Sequence, residues 1–172
     1  SPYGYCGPIC NNKLFFIESE LMFVNYMKNE NVVSEFVRYH FVYNKSLKFS
    51  KNIDNEYNRK LVTFDLSKDW DLIWKNNISM NNRNYTNKFD KAGFKLNIYN
   101  DLDKLEDFIK LYEETMDNAN ANKDFYFKKE YYLDLFAKLN GKIYLANMVL
   151  DDKIYSSVLF FASGDFIQLY LS

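Results

Sequence analysis

The chain has little of what usually punctuates or staples a fold. It holds five glycines, two prolines, two cysteines and a single histidine in 172 residues. Cys6 and Cys10, four apart, do not have the spacing of a thioredoxin-like redox pair. With only His40 to help, they do not complete the four ligands of a zinc site either. They read as ordinary reduced thiols of a cytoplasmic protein, and no metal is expected. The formal net charge of −1 lacks the basic excess of a dedicated nucleic-acid binder. Apolar runs such as Val158 to Ala162 are far too short to cross a bilayer, and no secretory pattern precedes them, so no membrane insertion is expected. The chain starts without methionine and stops at Ser172 straight after an apolar strand, so it is expected to be a piece of a longer protein.

What the chain does have is aromatic surface to bury. Sixteen phenylalanines and fifteen tyrosines make ring packing the expected core chemistry. A compact chain of this length buries roughly 70% of its unfolded surface, enough for a core without staples. The scarce backbone-directing residues are concentrated at one end. Both prolines and two of the five glycines, Gly4 and Gly7, fall in Ser1 to Pro8, interleaved with Tyr3 and Tyr5. Glycine permits positive φ and close backbone approach, while proline fixes φ. The stretch is either a shaped turn at a pocket or a structural turn ahead of a helix.

Periodicity supplies the coarse order. Lys13 to Ile17 reads as a short strand or lead-in, followed by a helix from Ser19 to Lys28 with Leu21, Val24 and Met27 on one stripe. Val32 to Tyr43 reads as a central strand. It sets Arg38 and His40 on one face, where a buried charge needs a partner or ligand. Asn44 to Arg59 is a loop. Lys60 to Leu66 is a strand that leads through an N-cap at Ser67 to a helix bearing Trp70, Ile73 and Trp74. Asn82 to Ala92 is a polar helix with Asn84, Lys88 and Lys91 on one face and Arg83 beside them, ended by Gly93. Phe94 to Tyr99 is a strand. Next comes an amphipathic helix with Leu102, Leu105, Phe108, Ile109, Tyr112 and Met116 inward, capped by Asn100 or Asp101. A second helix, Lys128 to Leu139, turns Tyr132, Phe136 and Leu139 inward. Strands Lys142 to Val149, Ile154 to Ala162 and Phe166 to Leu171 close the chain as hairpins. The class is α+β.

Several of these blocks resemble the Fem family when taken in order. They are Tyr3-Gly4-Tyr5 through Pro8, Glu35 to His40, Thr63 to Ser67, Arg83-Asn84 through Lys88, Lys91 and Gly93, and Leu111 to Met116. The family comprises peptidoglycan-bridge aminoacyltransferases and acyltransferase relatives built from two tandem GNAT-like lobes. The resemblance runs along essentially the whole chain. It implies a GNAT-like mixed sheet flanked by helices, ending in an antiparallel meander. Residues 1–99 would be the later part of a first lobe, and 100–172 the helix–helix–meander start of a second. It further implies acyl or aminoacyl transfer to an amine of a sugar-nucleotide or cell-wall precursor, in cell-surface glycan biosynthesis. The donor would be acyl-coenzyme A or aminoacyl-tRNA.

On that resemblance Tyr3, Tyr5, Gly7, Arg38, Arg83, Asn84, Lys88 and Lys91 are the candidate substrate-binding residues, and no catalytic residue is assigned. Arg38 would hold a carboxylate or phosphate, or else pair internally with Glu35 or Asp65. His40 is either a base or a packed side chain. The sequence departs from the family where Cys6 replaces a common glycine, and at Thr86, Asn87 and Phe89, which weaken the positive face expected for tRNA. A non-catalytic GNAT-like binding module is the alternative function. Open strand edges also make a homodimer an expectation.

Overall fold

A chain short of glycine still needs left-handed residues to stop its helices, and it uses asparagine for two of them. The computed structural model describes residues 7–40, 50, 56 and 60–172. Five helices are found there: α1 (Lys13–Asn29), α2 (Trp70–Asn77), α3 (Met80–Lys91), α4 (Leu105–Asn118) and α5 (Lys129–Lys138). Four strands accompany them: β1 (Lys95–Tyr99), β2 (Ile143–Leu150), β3 (Lys153–Ser163) and β4 (Phe166–Leu171). Helices α1, α3 and α4 stop at Asn31, Gly93 and Asn120, with φ of 56°, 87° and 48°. After each, two N–H groups fold back onto the last turn: Val32 to Met27 and Asn31 to Lys28, Phe94 to Phe89 and Gly93 to Asp90, Ala121 to Met116 and Asn120 to Asp117. These Schellman pairings satisfy carbonyls that the helix itself leaves open. At α3 the Phe94 ring also meets Phe89 edge-on at 5.0 Å.

The described residues divide into two compact units, Ser1–Val62 and Thr63–Ser172. In the first, helix formation starts earlier than periodicity predicts. Asn12 Oδ1 accepts from Phe15 N at 3.1 Å, so Lys13 to Ile17 is the first part of α1 and not a strand. The inward stripe is Phe16, Glu20, Val24 and Met27; Leu21, expected inward, is exposed. The expected central strand from Val32 is absent over 32–40, which carries only an isolated bridge at Tyr39. Val33 is 99% exposed and Phe36 74%, so β-propensity here finds no neighbouring strand to satisfy it. The remainder of that strand and nearly all of the Asn44 to Arg59 loop lie outside the described residues.

In the second unit, 60–66 forms no strand. The α2 cap is Asp69, whose Oδ1 accepts from Asp71 N at 2.9 Å, and not Ser67. Ser79 caps α3 through Asn82 N at 3.2 Å. From β1 onward the expected order holds, with differences around the α4 cap: Lys104 occupies it without a side-chain bond, Asp101 accepts from Asp103 N instead, and Leu102, expected inward, precedes the helix and is exposed. The sheet order is β1-β2-β3-β4. Every described pairing is antiparallel, where a mixed sheet was expected. Because β1 pairs with β2, Lys95–Tyr99 belongs to the C-terminal sheet. Asp151 and Asp152, at φ 47° and 60°, form the two-residue β2–β3 turn, while Gly164 at φ 55° opens the β3–β4 turn.

One sheet face and two helices build the core. Leu105, Phe108 and Tyr112 of α4 and Tyr132 and Phe136 of α5 cluster with Ile143, Leu145, Leu159 and Leu171. Phe108 stacks on Tyr112 at 5.9 Å and meets Tyr132 edge-on at 5.7 Å. Tyr112 lies in this core with its hydroxyl donating to Phe125 O at 2.9 Å. Register puts Leu96, Ile98, Ile167 and Leu169 on the opposite face, where all four are exposed.

Candidate functional site

The sequence-predicted residues fall into two groups, one in each compact unit. Tyr3 and Tyr5 lie outside the described residues. Gly7 sits at φ 115°, a conformation that L side chains rarely adopt, five residues before the Asn12 cap of α1. Arg38 is half-buried, and its Nε is buried with no hydrogen-bond partner among the described residues. His40 is also half-buried, and burial lowers its pKa. Asp65, one expected partner of Arg38, accepts from Ser67 Oγ at 2.7 Å and from Ser67 N at 3.2 Å, and faces Lys68 at 3.7 Å. The Ser67 bonds, followed by Lys68, hold its carboxyl below the ordinary value.

The second group lies on α3. Arg83 Nη1 donates to three carbonyls at the end of α2: Trp74 O at 3.1 Å, Lys75 O at 3.0 Å and Ile78 O at 2.7 Å. A guanidinium placed there answers both the open carbonyls and the negative end of the helix dipole. Arg83 therefore joins α2 to α3. Asn84, Lys88 and Lys91 remain exposed on the same helix, with Lys88 Nζ 5.6 Å from the Tyr85 ring centre. Lys88 and Lys91 form no ion pair among the described residues.

Sequence reasoning missed a third location. A cleft of about 240 Å³ lies between the C-terminal half of α4 and the start of β3. Its polar lining is Glu114, Thr115, Asn118, Ser156, Ser157 and Ser172. Two bulges flank it. Met148 pairs with Ser156 but Val149 with Ile154, leaving Tyr155 as an extra residue of β3. Leu159 pairs with Leu171 but Phe160 with Leu169, leaving Tyr170 as an extra residue of β4. Bulges re-aim side chains and interrupt the ladder, and they are common beside functional sites. Under the cleft, Ser157 Oγ donates to Asn147 Oδ1 at 2.6 Å, and Asn147 is fully buried. The signal that would have located this cleft is Asn147 itself. It sits in phase with Ile143 and Leu145 on the core face of an otherwise apolar strand.

No family model, curated protein or solved structure matches the chain. Among the described residues no helix is long and apolar enough to cross a membrane, and no group of three or more metal-binding side chains converges.

Proposed function

We propose that the chain belongs to a Fem-like, GNAT-type acyltransferase that moves an acyl or aminoacyl group onto an amine of a sugar-nucleotide or cell-wall precursor in the cytoplasm. The observation carrying this reading is the succession β1–α4–α5–β2–β3–β4. The order follows the helix–helix–meander that the resemblance implies.

In the step itself the neutral amine nitrogen attacks the acyl carbonyl carbon and a C–N bond forms. The C–S bond of a thioester, or the C–O bond of an aminoacyl-tRNA ester, then breaks. The proton lost by nitrogen goes to the leaving thiolate or alkoxide. Acyl-coenzyme A is the better donor on charge. A net charge of −1 and a sparse set of lysines on α3 weigh against a tRNA surface. Within the second unit, Asn84, Lys88 and Lys91 would hold phosphates of the precursor.

The alternative is a GNAT-like module that binds without turnover. The engagement of Arg83 Nη1 with α2 carbonyls favours it, because one of the predicted phosphate ligands already has a structural task. Donor-dependent amide formation separates the two readings. The product of the whole gene is incubated with acetyl-coenzyme A or charged tRNA and amino-sugar nucleotides. Amide product supports acyl transfer, precursor binding without product supports the module, and no binding of either removes both. The homodimer is part of the proposal. Strand β4 is terminal in the described sheet and carries exposed Ile167 and Leu169, so light scattering should give twice the monomer mass; a monomer at all concentrations removes it.

A further inference from the structure

We infer that the cleft between α4 and β3 binds a small primary ammonium group, with the Glu114 carboxylate as its counter-charge. About 240 Å³ holds roughly eight water volumes at ~30 Å³ each, so it admits a small amine or the amine-bearing end of a larger molecule. Two hydrogen bonds already made inside the cleft, together with its one carboxylate, favour a cation. A hydroxyl has a single hydrogen. Thr115 Oγ1 donates its hydrogen to Leu111 O at 2.8 Å, and Ser157 Oγ donates its own to Asn147 Oδ1 at 2.6 Å. Thr115 Oγ1 therefore offers lone pairs to whatever enters, and so does Ser157 Oγ while Asn147 Oδ1 accepts from it, the buried Asn147 Nδ2 having no partner among the described residues. Asn147, fully buried, fixes Ser157 in that orientation and acts as a positioning residue.

Glu114, the only charged side chain among the described residues lining the cleft, adds an acceptor-only group. These acceptors match the three N–H donors of an ammonium. The field agrees in sign, because the cleft follows the last turns of α4. That end of a helix carries partial negative charge, and this one has no basic residue in its last turn to offset it. An anion entering the cleft meets no Lys, Arg or His among the residues that line it.

As the acceptor of acyl transfer, after losing one proton to solvent to become the neutral nucleophile, this ligand rests on the function proposed above; as a bound ammonium it does not. The test is an NMR titration of the isotopically labelled full chain with ethanolamine hydrochloride. Sodium acetate and tetramethylammonium chloride serve as comparison ligands. Ethanolammonium should shift the amides of Thr115, Ser156 and Ser157. Glu114→Gln should weaken its binding about threefold, the scale of one exposed charge. Tetramethylammonium, charged but without N–H donors, should bind about tenfold more weakly as well. Glu114 is exposed, so the variant should melt with the parent protein, which thermal unfolding checks.

The inference is overturned if ethanolammonium leaves those amides unmoved, if Glu114→Gln binds it equally, or if acetate binds as well. No acyl donor is present in the titration. Binding without turnover in the separate transfer assay would remove the acyltransferase reading and keep the cleft. Turnover with the amine KM unchanged by Glu114→Gln would remove the cleft and keep the reading.

Discussion

Replacing Arg83 by alanine separates a residue that holds helices together from one that holds ligand. Its Nη1 carries two hydrogens and faces three carbonyls, at 2.7, 3.0 and 3.1 Å, so at most two full bonds exist at once. Charge-assisted bonds are each worth about 1.5–3 kcal/mol when well buried. Here the guanidinium is half-exposed, and the low end of that range, discounted for solvent, gives about 2 kcal/mol in all. The helix it caps has eight residues, too short to persist without tertiary support. For a chain of this size about 2 kcal/mol corresponds to roughly 4–8 °C in melting temperature. Circular dichroism of Arg83→Ala should show that drop, and hydrogen exchange should show faster labelling of 70–78. Arg83→Lys should recover only part of it, because an ammonium lacks the planar fork. A melting temperature within about 1 °C of the parent, with unchanged exchange in α2, would refute the capping role.

Further outcomes follow from the same geometry. Lys88→Ala with Lys91→Ala should weaken binding of an anionic ligand such as a nucleoside diphosphate by about fivefold, the scale of two exposed charges, while thermal melting stays unchanged. A collapse in stability would make those lysines structural. Asp152 occupies a left-handed position of the β2–β3 turn, at φ 60°. Asp152→Gly should therefore stabilise the fold by about 0.5 kcal/mol, read by chemical denaturation, and a loss of stability would contradict that turn assignment. Asp65 has its folded pKa depressed by Ser67 and then Lys68. Its contribution to stability is thus complete above the unfolded carboxyl's pKa and disappears as pH falls through the depressed value. A carboxyl-carbon NMR titration should place its midpoint below the ordinary aspartate range, and Ser67→Ala should raise it; no movement would rule out Ser67 as the cause.

The second half of the fold was legible because its periods are unambiguous. Leu105, Phe108 and Tyr112 fall at helical spacing and are buried, and the alternation of Ile143, Leu145 and Asn147 marks one strand face. The first half was less legible. Lys13 to Ile17 is an apolar run too short for its period to distinguish helix from strand, and the Asn12 cap decides it. Val32 to His40 has β-branched and aromatic residues, but propensity cannot supply a neighbouring strand. On α3 the spacing placed Asn84, Lys88 and Lys91 on an exposed helix. It could not show that Arg83 reaches back eight or nine residues to carbonyls of α2. The α4–β3 cleft joins residues about forty apart in sequence, and only Asn147, polar in an apolar phase, hinted at it.

Mass spectrometry of an amino-sugar nucleotide incubated with the full gene product and acyl-coenzyme A tests the central claim most directly. Acyl transfer predicts a new amide that requires protein, donor and a free amine together. Unchanged precursor, with no donor bound by the protein, would contradict it.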